Sequence, residues 1–358
     1  MSRSVRVALM GPGQALVAAL LAASVHAGSV VDDRVAFEEA EASAWAAVRE
    51  GRGASSEVRE VAERALALSE PFARGSPQLA ARGEQLYGRI LLERGETHEA
   101  GVHFERALTL QRACLPPDAV ATMEAVADAA DATLRSGAGE QAAVRLAELA
   151  AATSPLPRPL EARVLELRSR VERDQGRYDT AFDLAERARA LRDTEPDDPS
   201  ALVETLNLLG ELEWFRSRFD ASRDRYREAL DLAQKTVGPR HPLAATSMAG
   251  LAVAQYDLGG VEEALRLEAE ALEIATTTRG PDHPDTADRL QDLATFSLGA
   301  GDYAKALLLY EQAMDVTERR LGPQSEEAAN LLYNLAVLHS RMGRLEQAGL
   351  ANDRALSI

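Results

Sequence analysis

Residues 238–242 read Gly-Pro-Arg-His-Pro, and residues 280–284 read Gly-Pro-Asp-His-Pro. A looser copy, Gly-Pro-Gln-Ser-Glu, occupies residues 322–326, so that successive copies lie 42 residues apart. A constant period in this range is typical of stacked supersecondary units, because one such unit alone cannot bury its apolar face. The stretch 236–358 therefore predicts an architecture of repeats.

Each copy carries the same skeleton of small and apolar residues. In the first copy, Leu251 and Ala252 are followed by Gly259 and then by Ala264. The apolar residues on either side of Gly259 recur mostly at intervals of three and four, which is the spacing of one helix face. Gly259 accepts the left-handed conformation that ends a helix, and Pro242 suits the first turn of the preceding helix. Each copy is therefore predicted to form two antiparallel helices.

The same spacing of turn and alanine positions continues towards the amino terminus, with small changes of loop length. The fifth pair has Ser217 where the clear copies have a turn glycine. The first and third pairs are degenerate copies of the pattern. The sequence predicts an all-α fold of about eight antiparallel helix pairs, centred on residues 53, 95, 137, 176, 217, 259, 301 and 343.

The skeleton as a whole resembles the tetratricopeptide repeat. Its 42-residue period and His-Pro loop are similar to the long variant found in the kinesin light chain and in bacterial scaffold and signalling proteins. The resemblance implies a right-handed superhelical solenoid over residues 28–358, clearest over residues 200–358. In this family, the first helices of the pairs line a concave groove that holds a peptide. Asparagine side chains on these helices often grip the peptide backbone.

The asparagine pattern of the peptide-binding relatives is mostly missing from this chain. Asn334 stands directly before a Leu-Ala pair, as in those relatives. The equivalent positions of the preceding copies hold Asp292, Gly250 and Leu208. The charged clamp that holds a terminal carboxylate in some relatives is not recognisable either. Specificity is therefore expected to come from other residues on the first helices.

Those residues are the candidate peptide-binding set. Aromatic side chains are favoured as anchors in protein interfaces, and Trp214 and Phe215 are adjacent in a chain that is only 4% aromatic. They either anchor a ligand or pack against the next repeat. The set consists of Asn207, Glu211, Trp214, Phe215, Tyr256, Asp257, Asp288, Gln291, Asp292, Asn330, Tyr333, Asn334 and Arg341.

Charge narrows the class of partner. The 358 residues include 40 basic and 57 acidic side chains, which gives a formal net charge of −17. The electric field of a protein with this negative charge disfavours binding to nucleic acid or to anionic lipid. The expected partner is a protein or peptide segment with basic and apolar side chains. The oligomeric state is left open.

The first 27 residues differ from the rest of the chain. Arg3 and Arg6 precede an apolar run, and the run is followed by small residues up to Ala27. This pattern is typical of a signal peptidase cleavage site. Residues 1–27 are therefore predicted to be a signal peptide, and the protein is expected to be exported to the periplasm or secreted. An uncleaved N-terminal membrane anchor is the alternative. No stable membrane span is expected after cleavage.

No catalytic motif, metal site or cofactor site is recognisable in the sequence. His241 and His283 occupy equivalent loops of neighbouring repeats, too far apart to share one metal ion. Cys114 is the single cysteine, and it is either a buried inert thiol or an exposed one able to dimerise. The sequence thus favours a non-enzymatic interaction scaffold. The alternative is the sensor or regulatory arm of a larger signalling protein or enzyme.

Overall fold

The computed structural model describes residues 30–151, 154–194 and 198–358. The predicted signal peptide, residues 1–27, lies outside the described residues. Within them, the chain forms sixteen α-helices, one 3₁₀-helix (Glu70–Ala73) and no strand. The helices are α1 (Val30–Arg49), α2 (Ser56–Ser69), α3 (Pro77–Glu93), α4 (Thr97–Cys114), α5 (Val120–Arg135), α6 (Gly139–Ala150), α7 (Arg158–Asp174), α8 (Tyr178–Arg192), α9 (Pro199–Phe215), α10 (Phe219–Thr236), α11 (Pro242–Asp257), α12 (Val261–Thr278), α13 (Pro284–Gly299), α14 (Tyr303–Arg320), α15 (Glu326–Arg341) and α16 (Leu345–Leu356).

These helices form the eight predicted pairs, from α1 with α2 to α15 with α16. Helices that are adjacent in the sequence, such as α11 and α12, pack against each other. The chain divides into two compact units, of which the first ends at Leu167 and the second spans Arg168–Ile358. The all-α repeat fold predicted from the sequence is confirmed.

Large side chains fill the core of the first unit. Phe37, Leu86, Ile90 and Phe104 are almost completely buried there, together with three alanines of α1 and two of α2. Burying a side chain of this size stabilises the fold by roughly 1.5–3 kcal/mol. This core holds the first helix pairs together.

Small residues stand where the helices of the second unit cross. Ala252, Ala264 and Ala271 are all fully buried in one apolar cluster. A methyl side chain at a crossing point lets two helix axes approach to the low end of the usual 8–10 Å range. The complete burial of all three alanines is consistent with close packing of α11 against α12.

The turn inside each pair places one residue in the left-handed region. Gly259 has φ 87°, and the equivalent glycines of the neighbouring pairs are similar. In the fifth pair Ser217 adopts the same conformation, with φ 59°, and it is the one residue other than glycine with positive φ among those described. In the first pair the turn glycine is Gly51, with φ 73°, so the prediction of Gly53 was wrong. Gly53 instead lies close to Glu93 of α3.

Side chains at the loop ends cap several of the helices. Nδ1 of His241 accepts a hydrogen bond from the backbone N–H of Leu243, and Nδ1 of His283 accepts one from Asp285. Asp198 accepts one from Ala201 at the start of α9. Such caps satisfy backbone donors that have no partner within the helix. Both histidines therefore have a local structural role.

Cys114 and the leucines of α16 are exposed at the surface. Cys114 is exposed, so the interpretation of a buried thiol was wrong, and Sγ lies 3.3 Å from the carbonyl oxygen of Leu110. On α16 no residue is buried, and Leu345, Leu350 and Leu356 expose most of their surface. None of the described helices has the length and apolar character needed to cross a membrane.

Candidate ligand-binding cavity

The second unit contains an open cavity of about 390 Å³. Residues of α7, α9, α10, α11 and α13 line it. One part of the wall is apolar, and the other carries charged and amide groups. The lining residues are Arg170, Glu204, Asn207, Leu208, Glu211, Trp214, Phe215, Tyr226, Leu243, Thr246, Ala249, Gly250, Val253, Arg289 and Asp292.

The structure brings together five of the thirteen predicted site residues. Asn207, Glu211, Trp214 and Phe215 of α9 line the cavity, and Asp292 of α13 faces them. The remaining eight residues do not line it. Of those eight, Asn330, Tyr333, Asn334 and Arg341 lie on α15, and the other four are Tyr256, Asp257, Asp288 and Gln291.

Two aromatic side chains form one end of the cavity. Phe215 stacks on Tyr178 of the preceding pair, with ring centroids 4.9 Å apart and an interplanar angle of 9°. Trp214 meets Phe215 edge to face at 5.1 Å, and its Nε1 donates a hydrogen bond of 2.5 Å to Oδ2 of Asp257. Both rings are half-buried. They therefore pack within the repeats and also present aromatic surface to the cavity.

Tyr256 has a different place from the one predicted. Its ring stacks on Phe296 of the next pair, with centroids 4.8 Å apart. It is half-buried and joins the core of the second unit. Its contacts therefore belong to packing between α11 and α13.

The ring of Tyr226 explains why the asparagine position of α11 is a glycine. Tyr226 is buried on α10, and its ring lies against both Gly210 and Gly250. A Cβ atom at residue 210 would lie 2.9 Å from that ring, and one at residue 250 would overlap it. Any side chain at residue 250 therefore competes with Tyr226 for the same space. The buried phenol also forms part of the cavity wall.

The side-chain amide of Asn207 has an unused donor. Only 8% of the residue is exposed, and its Oδ1 accepts a hydrogen bond of 2.8 Å from Oγ of Ser247. Nδ2 of the same amide is buried and has no hydrogen-bond partner among the described residues. A buried donor without a partner costs about 1–3 kcal/mol. An acceptor on a bound ligand would remove that cost.

Charged groups also line the cavity. Nη1 of Arg173 donates to both carboxylate oxygens of Glu211, at 2.9 and 2.8 Å. Nη2 of Arg289 lies 3.6 Å from Asp292, and its Nη1 lies 3.5 Å from Oε1 of Glu268. Burial alone would lower the pKa of Arg289, but Glu268 and Asp292 outweigh it and the pKa is raised. Arg289 therefore stays charged at the cavity wall.

Burial raises the pKa of three carboxyl groups near Arg289. Loss of hydration is the largest cause at Glu268 and at Asp292, and Arg289 opposes it in both cases. Loss of hydration around its carboxyl group also raises the pKa of Asp288 to about 7, although the residue as a whole is exposed. The charge beside this wall of the cavity therefore depends on pH.

Sequence reasoning missed Arg170, Tyr226, Glu268 and Arg289. A signal for Glu268 was present, because it stands four residues after Ala264 and three before Ala271, on the buried face of α12. A charged residue on such a face needs a partner. No comparable pattern pointed to Arg289. Among the described residues, no group of His, Cys, Asp and Glu side chains is arranged to hold a metal ion.

Comparison with known proteins identifies the repeats. Residues 201–277, 262–319 and 289–358 match the family model of the tetratricopeptide repeat. A search of curated protein sequences found no match to this chain.

Solved structures share the fold at low sequence identity. A Rap protein complexed with competence and sporulation factor is 16% identical, with a TM-score of 0.63 over 77% of this chain and 76% of that one. Aspartyl phosphate phosphatase F from Bacillus subtilis is 11% identical, with a TM-score of 0.58 over 83% and 74%. A signal transduction ATPase with numerous domains from Pyrococcus horikoshii, which has a tetratricopeptide repeat sensor, is 15% identical, with a TM-score of 0.52 over 96% and 52%.

Identities in this range establish the fold and leave the ligand undefined. The family match covers the last four helix pairs, where the 42-residue period is clearest. Repeats of this family mediate protein–protein interactions. Residues 201–358 consist of tetratricopeptide repeats.

Proposed function

We propose that the chain is a non-enzymatic interaction protein that holds a peptide or protein segment in the cavity of its second unit. The proposal rests on three residues of α9 that line the cavity together. They are Trp214 and Phe215 with their aromatic rings, and Asn207 with its unused amide donor. Aromatic anchors beside buried polar groups are typical of interface hot spots. The aromatic rings bind apolar ligand surface, and the amide fixes its register.

The ligand is a segment with both apolar and basic side chains. The net charge of −17 raises the local concentration of basic segments near the protein. Glu204, Glu211 and Asp292 give the cavity wall three carboxyl groups against the guanidinium groups of Arg170 and Arg289. The similarity to a Rap protein that was crystallised with a factor supports a bound partner in this fold.

A second candidate function is that of a sensor arm. The sensor-containing ATPase from Pyrococcus horikoshii matches almost this entire chain over 52% of its own length. In that case, ligand binding in the cavity would change the activity of another part of a larger protein. An immunoblot of the native host with an antibody against residues 200–358 separates the two candidates, because the sensor arm requires a product well above 38.5 kDa.

We also propose that the protein is exported. The basic start, the short apolar run and the small residues up to Ala27 support this. N-terminal sequencing of protein from the native host is expected to begin at Gly28. An intact Met1 on protein from the cytoplasm would contradict the proposal.

The cavity is tested by selecting peptides from a random display library against the wild-type protein. Replacing Trp214 by alanine is expected to weaken binding of the selected peptides by about 2 kcal/mol, roughly thirty-fold in Kd. Tyr303→Ala removes a partly exposed aromatic ring of α14 and serves as the control. The proposal fails if Trp214→Ala binds as tightly as the wild type while its circular dichroism is unchanged.

A further inference from the structure

Glu268 is a carboxyl group in an unusual position. It is 0% exposed, on a helix whose neighbouring buried residues are Ala264, Leu267 and Ala271. Neither of its oxygens accepts a hydrogen bond from any described residue. An ionised carboxylate in such surroundings is costly, since its hydration has been lost and no hydrogen bond replaces it. A protonated carboxyl group avoids most of that cost.

One guanidinium connects Glu268 to the cavity. Nη1 of Arg289 lies 3.5 Å from Glu268, and Nη2 of the same side chain lies 3.6 Å from Asp292. Arg289 and Asp292 both line the cavity, whereas Glu268 lies behind them. The three side chains bring two negative charges against one positive charge. A single bound proton makes the group neutral.

We propose that Glu268, Arg289 and Asp292 form a proton-binding site that sets the charge of the cavity wall. With the proton bound, the wall is neutral at this place. Without it, the wall carries one more negative charge next to the ligand. This inference rests on the proposed ligand cavity and adds its regulation: basic ligand segments bind more tightly as pH rises, and acidic ones as pH falls.

The surroundings of the site favour proton uptake. Burial raises the pKa of Glu268 and of Asp292, and Arg289 opposes this at both. Asp288 on α13 acts in the same direction on Glu268. The charged and titratable groups that act on the cluster or share its surroundings are Asp285, Asp288, Glu327, Glu211, Arg173, Tyr226, Tyr256 and Tyr310.

The charge of the wall is measured on the protein without a peptide. In a Trp45→Phe background, Trp214 is the sole tryptophan, and it lies in the cavity. Iodide is an anionic quencher of its fluorescence, and acrylamide is a neutral one. Between about pH 5 and pH 9, the iodide quenching constant is expected to fall about two-fold. The wall gains negative charge over this pH interval, and one unit charge near Trp214 lowers the local concentration of the iodide anion. Acrylamide quenching should not change.

Two further variants assign this change to Glu268. In Glu268→Gln, a substitution of similar volume, the pH-dependent fall is expected to shrink to less than about half, with Asp288 accounting for the remainder. Glu270→Gln, at an exposed position of the same helix, should retain it. The inference is overturned if wild-type iodide quenching does not change with pH, or if Glu268→Gln retains the whole change.

A direct titration covers the case in which Glu268→Gln folds poorly. The carboxyl carbon of Glu268 is followed by nuclear magnetic resonance in the Trp45→Phe protein and assigned by its absence in Glu268→Gln or, failing that, in Glu268→Asp. Its midpoint is expected above the ordinary value of about 4.3. A midpoint at or below that value overturns the proton site. Because no peptide is used, either outcome leaves the peptide-binding test independent.

Discussion

The ring of Tyr226 on α10 occupies the space that a side chain at residue 250 on α11 would need. Gly250 stands where peptide-binding relatives carry an asparagine. Packing between the fifth and sixth helix pairs therefore leaves no room for an asparagine side chain at residue 250. The amide side chain that lines the cavity is that of Asn207 on α9, one helix pair earlier.

We expect Gly250→Ala to destabilise the protein by about 1–3 kcal/mol, because the added methyl group forces the Tyr226 ring to move in a filled core. The free energy of unfolding is measured by urea denaturation. Gly349→Ala is the control, since a Cβ at this helical position meets nothing within 4 Å. The control should be neutral or stabilising by up to about 1 kcal/mol. Equal stability of wild type and Gly250→Ala would contradict the packing described for Tyr226.

We expect Ser217→Gly to stabilise the protein. Ser217 has φ 59°, a conformation that costs a residue with a Cβ about 1–2 kcal/mol and glycine little. Glycine loses more backbone entropy on folding, so the net gain is about 0.5–1 kcal/mol. Ser136→Gly, at the right-handed position just before Gly137, should lower stability instead. The midpoints of thermal unfolding of the two variants are compared with that of the wild type. A lower midpoint for Ser217→Gly would contradict the backbone strain inferred at Ser217.

Stability is expected to fall as pH rises towards neutrality, in part because of Asp288. Loss of hydration raises the pKa of Asp288 to about 7. The folded protein thus binds this proton more tightly than the unfolded chain, whose aspartate pKa is about 3.9. The stabilising contribution is complete below about pH 4 and is lost as pH rises through about 7. Asp288→Asn is expected to flatten the curve of unfolding free energy against pH, and an unchanged slope between about pH 4 and pH 7 would contradict this.

The last helix pair is expected to open before the others. No residue of α16 is buried, whereas six residues of α14 are buried. Local opening free energy follows the number of buried apolar contacts, so the amides of α16 should exchange first. Hydrogen exchange followed by mass spectrometry measures this order. Slower exchange in α16 than in α14 would contradict it.

The sequence predicted the fold because its signals are local. Gly259, Ala264 and Ala271 each act through the turn or the crossing point at which they stand, and the 42-residue period repeats that signal. The shift from Gly53 to Gly51 was missed because the first copy is degenerate and the two glycines lie two residues apart. Local turn chemistry alone does not select between them.

The cavity was predicted less well because it depends on contacts between helices. Trp214 and Asn207 were found from their places on a first helix, and both line the cavity. Tyr256 was predicted by the same rule but stacks on Phe296, a contact that depends on the neighbouring pair. Arg289 was missed because its partner Glu268 lies on another helix.

Photo-crosslinking tests whether a bound peptide occupies the cavity. Val253 lines the cavity and is replaced by benzoylphenylalanine, whereas the control carries the same group at Leu308, which is 56% exposed on α14. Irradiation with a library-selected peptide, followed by mass spectrometry, identifies the attached residue. We expect a covalent adduct from position 253 and none from position 308, and loss of the adduct when unlabelled peptide is in excess. An adduct from position 308 alone would contradict the binding of peptides in this cavity.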